Sequence, residues 1–313
     1  MIELRHLRYA VTVAEEGHIT RAAERLGLQQ PPLSQQIKAL ETQLGVALFH
    51  RLSRGVVATA AGKAFVERAR GILADVDGAV EAARRAGRGE DGRLAIGFTG
   101  SAAFHPLVTD VVRELRDSAP MLALTLEEAN SAASLEALRA GKLDAAFVRA
   151  LPEAHEGVRA RHLLDEEMLV VIPDRHPLLE SWPEDECRPL AALAETVFIL
   201  YHRPSGPGLY DAIIAACDKA GFSPHVGQEA TQMISTLSLV AAGLGVSLVP
   251  ASMARLGTTG IAYRRLKPDE APSAPLFLVW RPGEESGPLA RLLTDVRRHT
   301  LALGSMRGDD QKM

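Results

Sequence analysis

The chain has 313 residues, 47% apolar and 24% charged, the balance of a soluble globular protein long enough for two or three domains. Its two cysteines, Cys187 and Cys217, form no CxxC and argue against a disulfide framework or a structural zinc site; no cofactor or metal is expected. The net charge of −4 is unevenly spread: residues 1–60 carry +2, residues 61–92 balance, and residues 93–313 carry −6, which makes the amino-terminal end the one suited to a polyanion.

No apolar run approaches the ~18 residues of a membrane span. Met1 is followed by Glu3 and Arg5 without an apolar leader, so a reducing, cytoplasmic setting is expected.

Residues 3–16 read as a helix whose buried stripe is Leu4, Leu7, Val11 and Ala14, closed by Gly17. Thr20 is the expected cap of a short second helix that buries Ala22, Ala23 and Leu26 and ends at Gly27. Gln30 lies in the turn, and Pro31-Pro32 open a third helix, where a missing N–H has no intrahelical partner to lose. Leu33, Ile37, Leu40 and Leu44 then recur at helical spacing, so Pro31, Gln35, Lys38 and Thr42 face away from the core, with Ser34 beside them. This is the helix-turn-helix plan, and glutamine amides can bond bidentately to adenine edges. The same spacing also suits an ordinary helical hairpin with a solvated face.

Residues Val46 to Arg51 and Val56 to Ala58 read as the strands of a wing with Arg51 and Arg54 near its tip, where arginine can reach phosphate or a minor groove. Thr59 is placed to cap a long helix from Ala60 to about Arg88. In it Phe65, Ala69, Ile72, Val76, Ala79 and Ala83 alternate spacings of four and three, a heptad seam that a second copy would bury. The run RAGRGEDG, Arg85 to Gly92, reads as a hinge.

Beyond it strands alternate with helices, which predicts doubly wound α/β lobes. The predicted strands are 93–98, 121–127, 144–148, 159–164, 168–172, 197–200, 225–229, 246–249, 261–265 and 276–280. The predicted helices are 104–117, 134–139, 207–220, 232–242 and 288–303, and the polar tail SMRGDDQKM is expected to be disordered.

Three stretches carry a family resemblance: LRHLRY, then ITRAAERLGLQQPPLSQQIKALETQLGVALFHR, then RGVVATAAG. Together they cover almost all of the first sixty residues and resemble the DNA-binding domain of LysR-type transcriptional regulators. The resemblance implies DNA contacts from Gln30, Pro31, Pro32, Ser34, Gln35, Gln36 and Lys38. Many relatives carry arginine where this chain has Gln35, a departure bearing on base preference or a phosphate contact.

It also implies dimerisation through the long helix, a dimer or a dimer of dimers, and a pseudo-palindromic operator whose half-sites lie ~34 Å, or a multiple, apart. The remainder is then expected to be a two-lobed effector domain like a type 2 periplasmic binding protein. The domains so read are a winged helix-turn-helix over 1–60, a linker over 61–92 and an effector domain over 93–303. Lobe one of the last is 93–164 with 268–303, lobe two is 165–267, and 304–313 is a tail.

Ligands in open α/β sheets sit beyond the carboxyl ends of strands, at helix N-termini. That rule singles out Thr99, Ser101 and Ala102 after the first strand, Ser131 after the second and Arg149 after the third, with Tyr201 and Thr231 from the other lobe. Read one at a time, Ser101, Ser131 and Thr231 are ordinary helix caps. PPLS, GFTGS, AAFVRA and LVAAGLGVSLVPAS resemble the subgroup that regulates aromatic-compound catabolism, including its muconate-responsive members. There Ser101, Ser131 and Arg149 fall on positions that hold the effector's carboxylate, so a small organic acid, aromatic or dicarboxylic, is expected.

Gly243-Leu244-Gly245 precedes a strand and so is no dinucleotide loop. The chain has no GxSxG, P-loop or HExxH, and no enzyme activity is expected. The competing reading is a solute-binding or catalytic α/β protein whose N-terminal helices serve assembly.

Overall fold

The computed structural model describes residues 1–151, 157–204 and 207–310. It divides into two compact units, Met1–Arg85 and Ala86–Met313.

The first unit contains α1 (Leu4–Glu16), α2 (Ile19–Arg25), α3 (Gln30–Leu44), the antiparallel pair β1 (Phe49–Arg51) and β2 (Val56–Ala58), and α4 (Ala60–Gly87). Its core gathers Ala10, Val13, Ala22, Ala23, Leu33, Ile37, Leu40, Leu48 and Phe49. The stripe expected on α1 is corrected. Leu4 is 41% exposed and Val11 half-buried, and the buried line runs through Leu7, Ala10 and Val13. The larger side chains misled the reading, because small residues are what bring α1 close to its neighbours. On α2, Leu26 is only half-buried, and the cap is His18 rather than Thr20: the His18 ring accepts the Thr20 N–H at 3.2 Å.

The first wing strand begins at Phe49, not Val46. Val46 and Ala47 are exposed, and Glu41 of α3 accepts the N–H groups of Leu48 (2.8 Å) and Phe49 (3.0 Å), so the chain is anchored to α3 before it enters the sheet. Thr59 does cap α4, its hydroxyl accepting the Gly62 N–H at 2.8 Å. Gly62 marks a close approach: a Cβ there would stand 1.9 Å from the Leu48 carbonyl oxygen. Gly62→Ala is therefore expected to destabilise the first unit by about 1–3 kcal/mol, measurable as a lower urea midpoint by circular dichroism.

In α4, Phe65 packs against the unit's own core and Ala69 is 1% exposed, so these two seam positions are used within one chain. Ile72, Ala79 and Ala83 remain exposed and Val76 half-buried. The hinge read over Arg85 to Gly92 shortens to residues 88–90, because α4 continues to Gly87 and the next strand starts at Asp91.

In the second unit, β3 (Asp91–Phe98), α5 (Pro106–Ser118), β4 (Met121–Glu128), α6 (Ser131–Arg139) and β5 (Ala145–Val148) are followed by one 15-residue strand, β6 (Arg159–Pro173). Two strands, 159–164 and 168–172, are predicted there. The chain instead crosses between sheets without a break, pairing with β12 (Ser273–Trp280) up to Glu167 and with β10 (Ser247–Pro250) from Met168.

Between lie α7 (Leu178–Ser181), β7 (Cys187–Arg188), β8 (Val197–Tyr201), α8 (Pro207–Lys219), β9 (His225–Ala230) and α9 (Met233–Ala241). β11 (Ile261–Leu266) precedes β12, and α10 (Gly287–Asp310) follows it. The sheet order is β4-β3-β5-β12-β6-β11-β7, with β10 also on β6 and β8 paired with β9. β3, β4 and β5 run parallel, whereas β12 is antiparallel to both β5 and β6. β5 is buried along its whole length, as suits a strand inside a covered sheet.

Phe147, Leu276 and Leu278 pack with Leu107, Val111 and Leu115 of α5 and Leu292 and Val296 of α10. A separate core holds Trp182, Phe198, Ile213 and Leu237. The tail expectation is corrected in part: α10 runs on to Asp310, and residues 311–313 lie outside the described residues. Among the described residues no helix is long and apolar enough to cross a membrane.

Candidate functional site

The first candidate surface is the outer side of α3 with the wing. Gln30, Pro31, Pro32, Gln35, Lys38, Arg51 and Arg54 are all exposed. Ser34 is half-buried, and its hydroxyl accepts a hydrogen bond from the Arg51 guanidinium at 2.9 Å, so wing and helix present one continuous polar face. Gln36 is a correction. It turns back to α1, its Oε1 lying 3.1 Å from His6 Nε2. His6 Nδ1 accepts the Glu3 N–H at 3.0 Å, so Nε2 carries the proton and donates to Gln36. Gln36 thus braces the start of α1 against α3 with its amide oxygen.

The second candidate is a cavity of about 470 Å³ at the carboxyl ends of β3, β4, β5, β8 and β9. Thr99, Ser101, Ser131, Arg149, Tyr201 and Thr231 line it, as the strand-end rule requires. Ala102 does not. It is fully buried, and its methyl joins the core beneath. Ser131 is the first residue of α6, not its cap; Asn130 is the cap, accepting the Ala133 N–H at 2.9 Å on Oδ1 and the Ser134 N–H at 3.0 Å on its carbonyl. The Ser131 and Ala132 N–H groups belong to the helix's first turn, which has no intrahelical acceptors. Ser101 is 4% exposed, and its hydroxyl makes no hydrogen bond among the described residues.

Arg149 reaches the cavity, but its charge is engaged from behind. It donates to Glu166 Oε2 at 2.5 Å, to the Ala274 carbonyl at 2.9 Å and to the Ser101 carbonyl at 3.4 Å. The other Glu166 oxygen accepts the Ser252 N–H at 2.6 Å. Both side chains are almost fully buried. Burial lowers the pKa of the guanidinium and Glu166 opposes that fall. Arg149 thus lines the cavity with its charge already paired to Glu166, where its position alone suggested a free cation. Its Nε is buried without a partner.

The strand-end reading missed Glu128, Gln232, Met233 and Ile234, which also line the cavity. Glu128 was within reach of the rule: the strand predicted to stop at Glu127 runs one residue further. Met233 and Ile234 come from the first turn of α9 and carry no polar signal to mark them. Burial raises the pKa of the Tyr201 phenol, and the Glu128 carboxylate pushes it in the same direction, so Tyr201 stays protonated at neutral pH.

Among the described residues no group of histidine, cysteine, aspartate and glutamate is arranged to hold a metal ion. Cys217 is buried in α8, and burial with Asp218 beside it pushes its thiol up to about 12; Cys187 is exposed. A thiol-disulfide reagent is thus expected to titrate one cysteine in the native protein and the second only after denaturation. Equal reactivity of both would contradict the packing of α8.

Two family models match the chain. One is described as a bacterial regulatory helix-turn-helix protein of the lysR family, over residues 4–63, and the other as the LysR substrate binding domain, over residues 87–302. The uncharacterized HTH-type transcriptional regulator YnfL of Escherichia coli K12 is 41% identical over 93% of this chain and 96% of its own length. The LysR family transcriptional regulator CbnR is 30% identical; its crystal structure covers 94% of this chain and 100% of its own with a TM-score of 0.84, and its complex with target DNA covers 96% and 100% with a TM-score of 0.78. The BenM effector binding domain with its effector benzoate is 28% identical over 68% of this chain and 93% of its own, with a TM-score of 0.59. From helix-turn-helix to substrate-binding domain, the chain belongs to the LysR family of DNA-binding transcriptional regulators.

Proposed function

We propose that this regulator binds duplex DNA through α3 and the wing as a homodimer or a dimer of dimers, and that a small organic acid in the cavity of the second unit modulates its activity at a promoter. The observation that carries the effector reading is the cavity itself. It lies at strand carboxyl ends, with the open Ser101 hydroxyl and the first turn of α6 on one wall, and such N–H groups and dipoles favour an anion. The benzoate complex of the BenM domain, which shares this fold, supports a carboxylate ligand and, more narrowly, an aromatic one. Self-association rests on the exposed Ile72 and Val80 of α4, 45% and 44% accessible in the single chain.

An acid that binds one closure state better than another shifts the regulator between them; equal affinity for both would shift nothing. The test is a thermal-shift screen of small carboxylic acids. An acid that binds is expected to raise Tm in proportion to the logarithm of its concentration. Ser101→Ala should weaken that response. A screen in which no carboxylate stabilises the wild-type protein would contradict the reading.

A further inference from the structure

The charges around the cavity restrict what kind of acid it takes. Two ionisable carboxylate or guanidinium side chains line it, Glu128 and Arg149. Arg149 is matched by Glu166 behind it. Glu128 is exposed and has no hydrogen bond or ion pair among the described residues. A Cβ built on Gly100 would lie 2.8 Å from Glu128 Oε1, so the carboxylate stands over the glycine that precedes Ser101. With Glu166 counted, the site has one more negative charge than positive. A dianion would enter against that charge with no free cation to receive it.

The rest of the lining divides in a consistent way. Ser101 and the first turn of α6 offer neutral donors, suited to a single carboxylate. Glu128 offers an acceptor with a full charge, suited to an N–H cation. Leu209, Met233 and Ile234 offer apolar surface from α8 and α9. Resting on the reading that this cavity holds the effector, we propose that the effector is a zwitterion, an apolar α-amino acid, with its carboxylate at Ser101 and the α6 N-terminus and its ammonium on Glu128.

The test uses the full-length protein and isothermal titration calorimetry, preceded by a thermal-shift screen. The probes are the twenty standard amino acids, the deaminated partners of the apolar ones (4-methylpentanoate for leucine, 3-phenylpropionate for phenylalanine), benzoate and adipate. An apolar amino acid is expected to bind roughly tenfold or more tighter than its deaminated partner. Glu128→Gln should remove that preference, and Glu128→Lys should invert it in favour of adipate; either variant suffices if the other misfolds.

Deaminated acids, benzoate or adipate binding as well as or better than the amino acids in wild type would overturn the zwitterion and leave the small-acid reading standing. Amino-acid binding that is indifferent to both Glu128 variants would overturn the assignment of Glu128. No binding by any probe would overturn the small-acid reading and the zwitterion with it.

Discussion

Glu166→Ala is expected to destabilise the second unit by about 3–5 kcal/mol, because it leaves the Arg149 guanidinium buried without its counter-charge. For a unit of this size that is a fall in Tm of roughly 10 °C. The position explains the magnitude. Glu166 lies where β6 changes partners, opposite Ala274 of β12 and two residues before the first β10 pair. One carboxylate oxygen holds the residue after β5, and the other holds the Ser252 N–H after β10. Losing the carboxylate therefore frees a charge and also a backbone donor at the crossing between sheets. The double variant Arg149→Met with Glu166→Leu should recover most of the loss, since a buried ion pair is often no more stabilising than apolar residues of similar volume. A Glu166→Ala protein melting within a degree or two of wild type would show that the pair is solvated in solution.

On DNA, Gln35→Ala is expected to cost about 1–3 kcal/mol on the preferred operator, up to roughly a hundredfold, and to relax base preference at one position of each half-site. Lys38→Ala should weaken binding to all duplexes alike if it meets phosphate, with a shallower salt dependence. Gln36→Ala provides the contrast. It removes the acceptor of His6 and should lower stability while leaving base preference intact. Quantitative gel shifts on the operator and on single-base variants, together with melting curves, separate the three. Loss of base preference in Gln36→Ala with none in Gln35→Ala would reverse the assignment of the reading face.

The difference between neighbouring glutamines shows where sequence reading stops. The helical wheel placed Gln35 and Lys38 outward correctly, because an apolar stripe of large residues, Leu33, Ile37 and Leu40, defines the inward side. Gln36 lies between those sides, and its direction is decided by His6, thirty residues earlier, which no local pattern reveals. The same limit applies to Arg149. Its place at a strand end was legible, but its partner Glu166 comes from a strand that was read as two. A continuous crossing strand has no turn chemistry to mark it, and the charged stretch Asp165-Glu166-Glu167 looked like a break. The α1 stripe failed for a different reason: alanine at a helix contact is chosen for its small size, and a search weighted to large apolar side chains passes over it. Elements bounded by glycine or proline, such as α2, α3, α8 and α9, were placed within a residue or two, since those residues act through the local backbone.

The central claim, that α3 and the wing read a specific duplex, is tested most directly by the affinity of the full-length protein for DNA upstream of its own gene, against a scrambled duplex of equal length, across a salt series. The expected result is a steep linear fall of log K with log salt on both duplexes and a preference of at least roughly a thousandfold for the upstream DNA near physiological salt. Equal affinity for both duplexes at every salt concentration, or upstream binding that survives Gln35→Ala combined with Lys38→Ala unchanged, would contradict it.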